Sequence, residues 1–110
     1  MANVVSVHEV RQLLPMLIEQ TEKTQQILDK GSQIMQGVML PENEFEMIEN
    51  DLNDLYNLWV KFVGLHNGIV KDRWIVEFDD GSGFIHWNHE QKHTLFFRGY
   101  TSEAGDLIPL

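Results

Sequence analysis

Three of the chain's five histidines lie within one short stretch, FIHWNHEQKHT (84–94). His86, His89 and His93 could deliver three neutral imidazoles to one ion if the chain turned after Trp87. Because the sequence holds no cysteine, any metal would have to be bound by His, Asp or Glu. The stretch therefore raises one alternative: a site for zinc or another divalent metal, or for a small ligand, in a binding protein or a hydrolase.

The same histidines also fit the end of an ordinary β-hairpin. On a strand the His86 side chain points opposite to Trp87, so its convergence with His89 and His93 depends on the turn that follows. Half-exposed imidazoles at a strand end are the commoner outcome. Our primary expectation is therefore no cofactor, with the metal site as the alternative.

Two other short motifs resemble catalytic or metal-binding motifs but lack residues that those motifs require. Glu90 and His93 spell the Glu-x-x-His pair of di-iron bundles, but such a site needs a second copy on another helix and two further glutamates. The turn Gly81-Ser82-Gly83 lacks the Gly-x-Ser-x-Gly spacing of a nucleophile elbow. The sequence therefore assigns no catalytic residue.

The composition is that of one soluble domain with an acidic excess. The chain has 110 residues, of which 43% are apolar, and we expect a single domain over 1–110. Its 8 basic and 17 acidic residues give a formal charge of −9, which repels a phosphate backbone. No apolar run approaches the roughly 20 residues that span a bilayer, and the N-terminus lacks the pattern of a signal peptide. We expect a cytoplasmic protein that binds neither nucleic acid nor membrane.

The first helix is predicted by a cap and by its apolar period. Ser6 and Glu9 have the spacing of a capping box. Steps of three and four residues then define a seam, Val7, Val10, Leu14, Leu17, Thr21, Thr24 and Leu28. Pro15 removes a backbone hydrogen bond, but the seam crosses it in register, so we predict a kink and not a stop. The helix should end at Gly31 or run on to about Gly37.

A second helix and a β unit follow. Pro41 suits a first helical position, Gly64 suits an end, and between them the apolar positions recur at helical steps, Phe45, Ile48, Leu52, Leu55, Trp59 and Phe62. WIVEF (74–78), the turn DDGSG and FIHW (84–87) predict a β-hairpin, and 94–98 a third strand. We predict an α+β fold: a long antiparallel helical hairpin (6–64), a small antiparallel β-hairpin or three-stranded sheet at one end (69–100), and an irregular tail (101–110).

Two helices and a small sheet leave a crevice where they meet. We expect Trp87 and His89 to lie on or beside this principal concave surface, at the end of the helical hairpin, and to be its ligand-binding residues.

The opening VSVHEVRQLLPML and the segment WIVEFDDGSGFIHWNH together resemble a prokaryotic family catalogued as domain of unknown function 2203. In that family two helices precede a short β segment that ends in a Trp-His pair. Here the pair is Trp87-Asn88-His89, and the family's usual cysteine is absent. The resemblance implies a bacterial, cytoplasmic protein and brings no activity with it.

The helices also predict self-association. Helices of about 24 residues are roughly 36 Å long, as long as a compact chain of this size is wide. Apolar residues flank both seams, Leu13, Ile27, Ile34, Tyr56 and Val63. A homodimer joined through the helices into a four-helix bundle would bury them. The favoured function is accordingly a non-enzymatic oligomeric or protein-interaction module.

Overall fold

The computed structural model describes residues 3–37, 39–102 and 106–110. Within these ranges the chain forms two helices, a short 3₁₀ turn (His89–Gln91) and five strands. In chain order the helices and strands are α1 (Val7–Gly37), α2 (Glu42–Leu65), β1 (Gly68–Asp72), β2 (Ile75–Asp79), β3 (Gly83–Asn88), β4 (Phe96–Gly99) and β5 (Ile108–Pro109). Each strand pairs antiparallel with the next. The predicted α+β fold with a helical hairpin is confirmed.

Helix α1 starts at the predicted capping box. The Glu9 amide donates to the Ser6 hydroxyl at 3.1 Å, and the Ser6 amide donates to the Glu9 carboxylate at 3.3 Å. The helix continues through Pro15 to Gly37. Its buried residues all belong to the predicted seam, Val10, Leu17, Thr21, Thr24 and Leu28.

The threonines of the seam have separate partners. The Trp59 indole N–H donates to the Thr21 hydroxyl at 2.9 Å, which joins α2 to α1 inside the core. The Thr24 hydroxyl donates to the Gln20 carbonyl oxygen of its own helix. A buried polar group costs free energy unless it is hydrogen-bonded, so both threonines can occupy an otherwise apolar seam.

The sheet has two strands more than the three that we predicted. β1 precedes the predicted hairpin, and β5 comes from the tail that we expected to be irregular. Ile108 pairs with Phe97, and the Leu110 amide donates to the Leu95 carbonyl oxygen at 2.9 Å. Pairing with β5 satisfies backbone groups that would otherwise lie open along β4. A two-residue strand that contains proline carries almost no strand signal in the sequence; residues 103–105 of the predicted tail lie outside the described residues.

One face of the sheet packs against the helical hairpin. Its alternate residues are buried there against both helices, Val76, Phe78, Ile85 and Trp87. The sheet reaches only part of the hairpin, because none of the α2 side chains from Glu42 to Leu58 is buried. The radius of gyration is 16.3 Å, against about 13 Å for a compact chain of this length. Neither helix, over its described residues, is long and apolar enough to cross a membrane.

The contact between β3 and β4 predicts one sensitive glycine. A Cβ atom on Gly83 would lie 2.6 Å from the Arg98 carbonyl oxygen and closer still to the Phe97 ring. We expect Gly83→Ala to lower the free energy of unfolding by about 2 kcal/mol, measured by urea denaturation with circular dichroism.

Gly64→Ala is the matched control, because a Cβ atom there meets nothing within 4 Å and alanine favours the helix. It should raise the free energy of unfolding by about 0.5 kcal/mol. Equal stability of the two variants would contradict the close approach of β3 and β4.

Candidate functional site

An ionic cluster around one buried carboxylate lies on the sheet face that points away from the helices. Among the described residues, Glu77 is the one charged side chain that is buried, at 3% exposure. Its carboxylate accepts hydrogen bonds from Arg98 Nε at 3.0 Å and from Arg98 Nη2 at 2.6 Å. His86, directly opposite Glu77 in the β2–β3 register, places Nδ1 3.0 Å from Oε2. We call Glu77, His86 and Arg98 the Glu77 cluster.

The contacts within the Glu77 cluster determine the ionisation of Glu77 and the tautomer of His86. Burial by itself would raise the pKa of Glu77, but the hydrogen bonds from Arg98 and His86 outweigh it and hold that pKa below its ordinary value. The hydrogen bond to Glu77 raises the pKa of Arg98 in turn. Because an ionised carboxylate can only accept, His86 must donate through Nδ1, and Nε2 is then the free nitrogen of the neutral ring.

The second histidine is held by another carboxylate. His89 Nε2 lies 3.3 Å from Glu22 Oε1 on α1, and the Lys92 ammonium group donates to the same oxygen. The hydrogen bond from Lys92, and then that from His89, lower the pKa of Glu22. These contacts tie the 3₁₀ turn to α1. His93, by contrast, is exposed and belongs to neither group.

A cavity of about 350 Å³ lies between α1 and the end of the sheet. Its lining includes side chains from α1, the β1–β2 turn, β3 and the 3₁₀ turn, among them Gln25, Arg73, Trp74, His86, Asn88 and His89. We call it the sheet-end cavity. It brings His86 and His89 to one concave surface, each already oriented by a carboxylate.

Trp74 lines this cavity from a strained backbone position. Its φ is 64°, in the left-handed region where a bulky residue costs on the order of 1–2 kcal/mol. The indole packs edge-on against Trp59 and Tyr56, with ring centroids 5.0 and 6.0 Å away. The Trp74 carbonyl oxygen also accepts from the His89 amide at 3.0 Å. Packing therefore holds the ring at the cavity wall despite the backbone cost.

The residues predicted for ligand binding have different positions. His89 lines the sheet-end cavity, whereas Trp87 is fully buried and packs on the helix side of the sheet. The Trp87 indole N–H donates to the Lys92 carbonyl oxygen at 2.9 Å, so this residue holds the turn that carries His89. The sheet-end cavity meets α1 at Gln25, whereas another cavity lies at the end of the hairpin, where we expected the concave surface, between the start of α1, the end of α2 and Phe78 of β2.

The three histidines do not form one group. His86 and His89 bind different carboxylates, and His93 is turned to solvent. Over residues 3–37, 39–102 and 106–110, no set of three or more His, Asp or Glu side chains is arranged to hold a metal ion.

Three residues of the site, Glu77, Arg98 and Trp74, were not among those predicted from the sequence. One signal was present, because a charged residue in the middle of the apolar strand WIVEF must be paired if it is buried. Its partner Arg98 lies 21 residues away and follows only from the order of the strands. Nothing in the local sequence indicates that Trp74 would adopt a positive φ.

No family model, curated protein or solved structure matches this chain. The resemblance to the domain of unknown function 2203 family therefore stays a prediction.

Removing the charge of Glu77 should destabilise the protein. Glu77→Gln leaves the partly buried guanidinium of Arg98 without a counter-charge, and we expect the free energy of unfolding to fall by about 2–3 kcal/mol in urea denaturation at pH 7. Glu90→Gln makes the same change at an exposed side chain and should alter it by less than about 0.5 kcal/mol.

The same carboxylate predicts the pH dependence. Since the pKa of Glu77 is lower in the folded protein than in the unfolded chain, its contribution is complete above the ordinary glutamate pKa and is lost as the pH falls through the folded value. Stability measured from pH 6 down to pH 3 should therefore fall more steeply in the parent than in Glu77→Gln. Parallel curves would contradict an ionised Glu77.

Zinc tests the metal alternative. Because the described residues bring no three ligands together, we expect an equimolar addition of zinc to leave the unfolding temperature of the parent unchanged. The triple variant His86→Ala, His89→Ala, His93→Ala serves as the reference. A rise of several degrees in the parent alone would support the metal site.

Proposed function

We propose that this protein is a non-enzymatic homodimer that acts as a protein-interaction module, joined through the face of the helical hairpin that points away from the sheet. The observation that carries the proposal is a row of exposed large apolar side chains on each helix. On α1 the row is Met16, Ile27 and Ile34, and on α2 it is Met47, Leu58 and Leu65; Phe45, also exposed, lies on another side of α2. We call the six residues of the two rows the free hairpin face.

The spacing makes each row a straight stripe. In both helices the members are 11 and then 7 residues apart, which brings them back to the same side to within about 20°. Isolated exposed apolar residues are common on protein surfaces, whereas here two rows of three lie on one side of the hairpin, with Lys23, Asp51 and Asp54 between their members, and a second copy could cover both rows together.

Both stripes point to the same side of the hairpin. An α-helix turns by about 100° per residue, so each stripe lies about 110° around its helix from the side that contacts the other helix. When each helix is viewed from its own N-terminus, this rotation has the same direction in both. Because the helices are antiparallel, rotations in the same direction bring both stripes to the same side of the hairpin. The opposite side carries residues that pack against the core beneath the sheet, such as Leu14, Ile18, Tyr56 and Val60.

Charge complementarity favours a second copy as the occupant. The α1 stripe runs beside Lys23 and Lys30, whereas α2 carries six acidic and no basic residues from Glu42 to Leu58, including Asp51 and Asp54 beside its stripe. A two-fold axis parallel to the helices would set α1 of one copy against α2 of the other. Lys30 would then lie level with Asp51 and Asp54 of the second copy.

The size of the face also suits a dimer. The helices overlap over about 36 Å, and two helices side by side are about 20 Å wide, so each copy offers about 700 Å². A standard stable interface buries about 800 Å² per partner. The sheets of both copies would stay open at one end of the dimer, free to contact another protein. A bacterial, cytoplasmic setting is part of the proposal: the bacterial origin rests on the family resemblance, and the cytoplasmic location rests on that resemblance and on the sequence pattern.

Light scattering at micromolar concentration tests the pairing. We expect twice the 12.8 kDa of one chain for the parent. Leu58→Glu would bury an unpaired charge in the interface, so the dissociation constant should rise at least about tenfold while circular dichroism stays helical. Asn57→Glu adds the same charge to the adjacent residue, which points away from α1, and should leave the mass unchanged.

A monomeric parent would contradict the dimer. A dimer that survives Leu58→Glu would instead contradict the free hairpin face as its interface.

A further inference from the structure

The sheet-end cavity has the size and mixed lining of a small-ligand site. Its volume of about 350 Å³ lies within the usual range of about 300–1,000 Å³ for such sites. Trp74 and Ile75 supply apolar wall, while imidazole and carboxamide groups supply the polar lining. This combination suits a small flat molecule with a polar edge.

The conformation and contacts of Trp74 indicate that the sheet-end cavity is more than a packing defect. Glycine or asparagine would occupy its left-handed backbone position at lower cost. Trp59 and Trp87 each use their indole N–H in a hydrogen bond, whereas the Trp74 N–H makes none within the described part of the chain. Trp74 thus keeps an aromatic ring and a hydrogen-bond donor at the wall.

In His86 and His89, the contact with a carboxylate determines which nitrogen of the neutral ring can accept a hydrogen bond. The Glu77 carboxylate holds the His86 proton on Nδ1, so the neutral ring presents Nε2 as an acceptor. Glu22 lies at Nε2 of His89, so the neutral ring of that residue presents Nδ1. Both nitrogens suit a ligand that carries N–H donors.

The side-chain carboxamides of Asn88 and Gln25 add hydrogen-bond donors and acceptors to the cavity lining. The Asn88 side-chain oxygen accepts from the Gln91 amide at 2.9 Å, which identifies the other end of the group as its NH₂ donor. Gln25 brings a second carboxamide from α1. Together with the imidazoles they offer the donors and acceptors that recognise the edge of a nitrogen heterocycle.

The charges at the cavity favour a neutral ligand. Arg73 and Glu90 both line it, with one charge of each sign, and the Arg73 guanidinium already lies 5.2 Å from the Tyr56 ring centroid. The carboxylates of Glu77 and Glu22 are engaged by basic groups. The chain's formal charge of −9 further disfavours an anion.

We propose that the sheet-end cavity binds a small neutral nitrogen heterocycle, of the chemistry of a purine or pyrimidine base, with Trp74 as its wall and His86 as the acceptor for one of its N–H groups. The site lies on the opposite side of the hairpin from the free hairpin face. Ligand binding is therefore independent of dimer formation.

Adenine is the probe, titrated at millimolar concentration into ¹⁵N-labelled protein while the indole N–H of Trp74 is followed by NMR. We expect a saturable shift of this resonance. Benzoate, a ring of similar size with a negative charge and no N–H donor, should bind at least tenfold more weakly.

Two variants locate the contact. His86→Gln keeps an N–H donor for Glu77 and removes the ring Nε2, so the dissociation constant for adenine should rise about tenfold. His93→Gln makes the same substitution at an exposed histidine outside the cavity and should leave it unchanged. If His86→Gln fails to fold, Gln25→Ala on the surface of α1 replaces it, with a severalfold loss expected.

Three results would overturn the proposal. They are the absence of any saturable shift with adenine, benzoate binding as tightly as adenine, and unchanged adenine binding in a folded His86→Gln or Gln25→Ala. The titration is repeated on Leu58→Glu, so that a failure of the dimer and a failure of the ligand site are read separately.

Discussion

The pairing of Glu77 with Arg98 is the interaction on which the organisation of the sheet depends. A carboxylate taken out of water needs a partner, and the guanidinium that meets it comes from β4, two strands away from β2. The contact therefore requires β3 to lie between them in one register, with His86 opposite Glu77. It also sets the tautomer of His86, because the carboxylate can only accept. One buried charge thus links the strand order to the chemistry of the cavity beside it.

A mismatch in length shapes the rest of the molecule. Helix α1 has 31 residues and spans about 46 Å, whereas the longest strand has six and spans about 20 Å. The sheet can cover only one end of one side of the hairpin, so much of both helices stays open. The covered side holds the cavity and the open side holds the apolar stripes. These two surfaces therefore lie on opposite sides of the hairpin.

Trp74 shows how tertiary packing can override a local preference. The turn between β1 and β2 would be less strained with glycine, yet the indole gains edge-on contacts with Trp59 and Tyr56. Trp59 is itself hydrogen-bonded to Thr21, so the position of Trp74 depends on a contact between the two helices. The cavity wall is therefore supported by the same packing that closes the hairpin.

Local patterns in the sequence determined both helices, the central β-hairpin and β4. The capping box at Ser6 and Glu9, the helical period of the seam and the DDGSG turn act over a few residues each, so they can be read along the chain. Only the tertiary structure decided the strand pairing of β5, the partner of Glu77, the burial of Trp87 and the separation of the three histidines. Each of these features depends on which segment, distant in sequence, supplies the partner or neighbour. A local pattern of residues does not identify that segment.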